Sequence, residues 1–79
     1  MNISFNNASE AQLIVDNAEQ IINAYGYTTE SDIKTLLGSP THHTGDAVGW
    51  TSITDFKIEK TAKGWELTTP DAKPIEDLA

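Results

Sequence analysis

The chain has 79 residues, no cysteine, 12 Asp and Glu against five Lys, and a formal charge of −7. That length holds one domain. The missing cysteines rule out disulfides and thiolate metal sites, and the shortage of bases argues against a phosphate backbone as partner, since such binding needs clustered Lys and Arg. The longest apolar run, Leu13-Ile14-Val15, is far short of a membrane span of roughly 20 residues. Met1–Phe5 carries no base, so the expectation is a soluble, intracellular protein without a leader.

Met1, Ile3 and Phe5 alternate with Asn2 and Ser4, the pattern of a short, half-buried edge strand. Residues 9–25 then change period. Ala11, Ile14, Val15, Ala18, Ile21, Ile22 and Tyr25 line one side of an α-helix. Ser9 and Gln12 have the spacing of a capping box, Glu10 lies where the helix dipole favours an anion, and Gly26 supplies the stop. A second, shorter helix starts at Thr28 or Thr29, with Glu30 and Asp32 in its first turn. Its apolar stripe is Ile33, Leu36 and Leu37, and Gly38 and Pro40 end it. The few residues between the two helices make them a compact corner.

Residues 39–49 are rich in Gly, Pro, Ser and Thr and read as a loop. A β-hairpin follows. Phe56, Ile58, Trp65 and Leu67 share one face only if an even number of residues separates the strands. A two-residue Lys63-Gly64 turn or a four-residue Thr61–Gly64 turn meets that condition. Trp65 is thereby assigned to the core, and Trp50 is divided between core and binding surface, where Trp is enriched. Tyr25 and Tyr27 are assigned to packing. The domain is expected over 1–70, with 71–79 a flexible acidic tail. The fold class is therefore α+β: a two-helix corner followed by a β-hairpin, with a short N-terminal edge strand, a degenerate winged-helix-like order.

The residues that could carry chemistry each have a simpler reading. Adjacent His42 and His43, with Asp46 three residues on, fall short of the three or four converging ligands that zinc takes. Neither a Gly-x-Ser-x-Gly elbow nor a phosphate loop occurs. No catalytic, cofactor or metal residue is assigned, and the expectation is a protein that is not an enzyme. Charge is more informative. Residues 1–33 hold Glu10, Asp16, Glu19, Glu30 and Asp32 and no base, a charge of −5. The candidate partner-binding residues are accordingly Glu10, Asp16 and Glu19 on the first helix, with Trp50.

Tyr25-Gly26-Tyr27-Thr28-Thr29 with Asp32, then Gly49-Trp50-Thr51, then Gly64-Trp65-x-Leu67 and Pro70, form an ordered set of motifs. Together they resemble small uncharacterised proteins encoded in tailed-phage and prophage genomes of Gram-positive bacteria. The resemblance runs from about Ala18 to Ile75. Ser52 stands where those sequences often have Asp, and Glu59-Lys60 where they often have a basic pair. It implies a phage or prophage origin and no assigned activity; with the cysteine-free composition, the expected location is the host-cell cytoplasm. The expected function is a non-catalytic module that uses an acidic helix face to bind a host or phage protein and inhibit its machine. The alternatives are a minor phage assembly protein and, against the charge, a winged-helix DNA-binding protein.

Overall fold

In a computed structural model the described residues are 2–38, 45 and 47–78. The protein is α+β, with helices packed on two small antiparallel sheets. In chain order the elements are β1 (Asn2–Phe5), α1 (Ala8–Tyr25), β2 (Thr28–Thr29), α2 (Glu30–Leu36) and β3 (Val48–Trp50). They continue with β4 (Lys57–Thr61), β5 (Gly64–Thr68), β6 (Lys73–Pro74) and α3 (Ile75–Leu78).

The first helix opens two residues earlier than its capping pattern suggests. Asn7, not Ser9, is the N-cap: its extended backbone lets Oδ1 accept the Glu10 N–H at 2.9 Å. Asn caps as well as Ser does, and a start at Ala8 places Ser9 inside the first turn. The far end is as expected. Gly26 adopts φ 88° and donates its N–H to the Ile22 carbonyl at 2.7 Å.

Thr29 caps α2 in a full capping box. Its hydroxyl accepts the Asp32 N–H at 3.0 Å, and Asp32 Oδ2 accepts the Thr29 N–H at 3.0 Å. Thr29→Ala removes one half of the box and should cost about 1 kcal/mol in denaturant melts. No measurable loss would mean that α2 is held by its packing alone.

The first sheet has the order β1-β5-β4. Its register sets Ile3 opposite Leu67 and Leu67 opposite Ile58, so all three point to one face. The β4–β5 turn is the two residues Ala62-Lys63, flanked by the pair Thr61 and Gly64. The even-number requirement is therefore met, in the register of the four-residue alternative. Ala62 and Lys63 keep negative φ, and Gly64 takes φ 131°. In this position a Cβ on Gly64 would lie 2.8 Å from the Phe5 carbonyl oxygen.

The second sheet, order β2-β3-β6, was not visible in the sequence. Thr28 pairs with Trp50 and Thr29 with Gly49, while Val48 pairs with Pro74 and Gly49 with Lys73. Residues 48–50, read partly as loop, thus form a central strand. The segment read as a tail supplies the edge strand β6, where a proline costs no ladder bond. The Ile75 N–H also donates to the Ala47 carbonyl at 2.8 Å.

Helix α1 touches β1, β4 and β5 of the first sheet as well as β2 and α2. Ala11, Ile14, Val15 and Ala18 from α1 meet Ile33, Trp50 and Leu67 in the core. The two tryptophans differ in burial, and Trp65 is the one that departs from its expected place in the core. Trp50 is 5% exposed. Its ring meets Phe56 edge-on at 5.4 Å, and its Nε1–H donates to the Pro70 carbonyl at 2.8 Å. Trp65 is only half-buried. It has the correct parity, but it faces Lys60 one pair from the turn, where the sheet is running out of cover.

Candidate binding surface on the first helix

The outward side of α1 follows from its geometry. With about 100° between successive residues, burial of Ala11, Ile14, Val15 and Ala18 turns Gln12, Leu13, Asp16, Glu19, Gln20 and Asn23 outward. Asp16 lies near the middle of this arc, while Glu10 and Glu19 lie at its two borders. All three carboxylates are exposed. They are about 9 Å and 5 Å apart along the axis, at about 1.5 Å per residue. They therefore frame a face and do not form a single stripe.

Two of the three are held in place. Asp16 Oδ1 accepts Gln12 Nε2 at 2.9 Å, and Glu10 Oε1 accepts the N-cap Asn7 Nδ2 at 3.4 Å. Among the described residues the single ion pair is Lys34 with Glu30, at 3.1 Å on α2. The carboxylates of α1 thus have no ion-pair partner among the described residues, and the helix itself contains no base.

Leu13, not among the residues the sequence nominates, is the apolar centre of this face, 61% exposed. Glu10 precedes it and Asp16 follows it by three residues, about one turn on each side. Asn17 Nδ2 donates to the Leu13 carbonyl at 2.9 Å. The available signal was its position: Leu13 falls outside the repeat that fills the core. An isolated exposed Leu needs no explanation. An exposed Leu flanked by two carboxylates has the anatomy of a small contact site, apolar at the centre and polar at the rim.

Trp50 does not join this face. It belongs to the core, and its visible edge lines a groove of about 230 Å³ with Ser52, Asp55, Asp71 and Lys73. Tyr25, assigned to packing, is 75% exposed because the last turn of α1 extends past the elements that cover it. Tyr27 is half-buried.

The paired histidines and Asp46 lie outside the described residues. Among the described residues no three His, Cys, Asp or Glu side chains are grouped to hold a metal, and no helix is long and apolar enough to cross a membrane. Comparison with protein-family models, with curated proteins and with solved structures finds no match to this chain.

Proposed function

We propose that this chain is a phage- or prophage-derived, non-catalytic protein-binding module of the host cytoplasm. It engages a basic host or phage protein through the outward face of α1 and thereby obstructs that protein's machine. One observation carries the reading: Leu13 stands 61% exposed on a base-free, 18-residue helix, between the carboxylates of Glu10 and Asp16. Apolar contact supplies affinity and the surrounding charge supplies steering and selection. The phage origin rests on the motif resemblance.

The test compares the tagged chain with its Glu10→Lys, Asp16→Lys, Glu19→Lys variant as bait in nuclease-treated lysate of a Gram-positive host. The three sites are exposed, so the variant keeps the fold. The wild type should retain a stoichiometric basic protein that the variant loses at least tenfold. Equal capture by both baits would end the acidic-face reading.

Two rivals are distinguished by other observations. The free edge of β1, Asn2–Phe5, is without a charged side chain, whereas the β4 edge carries Lys57, Glu59 and Lys60. An uncharged edge favours strand-to-strand assembly, and a stable oligomer by size-exclusion mass would support the assembly-protein reading. A winged-helix arrangement needs a recognition helix between α2 and β3, where residues 39–44 and 46 lie outside the described residues. Its wing would be β4–β5, where Glu59 sits directly opposite Glu66 and interrupts the lysines. A salt-sensitive mobility shift with random duplex would favour that alternative.

A further inference from the structure

A second feature of the same acidic half lies at the other end of α1. Ile21, Tyr25, Tyr27, Thr29 and Asp32 line an open groove of about 530 Å³ between the helix C-terminus and the capping box of α2. All five residues fall in the stretch that precedes Lys34, the first base in the chain. We infer that this groove receives an arginine or lysine side chain of the basic partner, with the Tyr25 and Tyr27 rings as walls and Asp32 as counter-charge. The inference rests on the reading given under Proposed function and locates a specific anchor for the partner.

Three independent features favour a cation there. The last turn of α1 carries no basic side chain, so the negative end of an 18-residue helix dipole has no cation of its own helix beside the groove. Tyr25 is 75% exposed and thus contributes little to the core, while its ring offers a negative face to a cation. Asp32 is fixed, not mobile: its Oδ2 accepts the Thr29 N–H at 3.0 Å and the Thr28 hydroxyl at 3.4 Å. A carboxylate has capacity for about four hydrogen bonds, so those two leave room for a guanidinium or ammonium donor. The groove is therefore preorganised, aromatic and negative. That combination matches a basic side chain and repels an acidic one.

The experiment is an amide chemical-shift titration of the full chain at low salt with a short arginine-rich peptide. The same peptide with citrulline for arginine is the uncharged control. Saturable shifts should cluster at residues 21–32 with the arginine peptide alone. Tyr25→Ala should weaken binding by about two- to fivefold, the range for an exposed cation–π contact. That side chain is exposed, so the remaining amide spectrum should be unchanged.

Shifts confined to Glu10, Leu13, Asp16 and Glu19 would overturn the groove and leave the acidic-face reading standing. Equal shifts with the citrulline peptide, or Tyr25→Ala binding like the wild type, would also overturn it. An absence of saturable shifts anywhere would remove both.

Discussion

Gly49→Ala should be among the most damaging single substitutions in this protein, costing about 3 kcal/mol or more, at the upper end of overpacking effects. Gly49 is the middle residue of β3, itself the central strand of its sheet, paired with Thr29 on one side and Lys73 on the other. A Cβ there would collide with the Thr28 carbonyl oxygen and lie 2.9 Å from both the Thr28 carbonyl carbon and the Thr29 Cα. These are backbone atoms, so no rotamer change relieves the clash, and β2 must move away from β3. Thr28 is fully buried and Thr29 caps α2, so displacement of β2 carries the start of that helix with it. A domain of this size has about 4–12 kcal/mol to lose. Urea unfolding followed by tryptophan fluorescence measures the cost. A loss below about 1 kcal/mol would show that β2 and β3 can separate without consequence.

Trp50→Ala should cost about 3–5 kcal/mol, as for a buried aromatic that leaves a cavity. It removes the edge contact with Phe56 and the bond from Nε1–H to the Pro70 carbonyl, which ties β3 to the chain leaving β5. Trp65→Ala, in contrast, should cost about 1–2 kcal/mol, in proportion to its partial burial. The two variants form a paired measurement in the same host. If Trp65→Ala proves as costly as Trp50→Ala, the core extends to the hairpin turn and the assignment of the two rings is wrong.

That pair also shows what the amino-acid sequence could reveal. Helix α1 was legible because seven apolar positions repeat with a helical period and Gly26 marks the stop. The hairpin was legible because parity forces an even loop. Parity identifies a face, however, and not how far along it the cover extends, so Trp65 was overrated. The second sheet was illegible for a different reason. Its strands β2, β3 and β6 have two, three and two residues, too few to display an alternation. Gly49 reads as a loop residue until its close approach to Thr28 is seen. Pro74 reads as a breaker until β6 is found at an edge.

Of the candidate site, the acidic residues were legible as charge on a helix. Leu13 falls outside the apolar repeat, but only the packed helix shows how far it stands exposed between Glu10 and Asp16. Trp50 is divided by the sequence between core and partner contact, and its burial beside Phe56 favours the core. Tyr25 moved in the opposite sense. It continues the apolar repeat in sequence, but it occupies the last helical position and stands 75% exposed there.

The outward face of α1 is the proposed contact surface. Amide hydrogen exchange of the full chain, alone and bound to its captured partner, tests this most directly. Added protection should concentrate in α1 around Leu13, Asp16 and Glu19, with the β4–β5 hairpin unchanged. Protection confined to the hairpin, with α1 exchanging as in the free chain, would contradict the account.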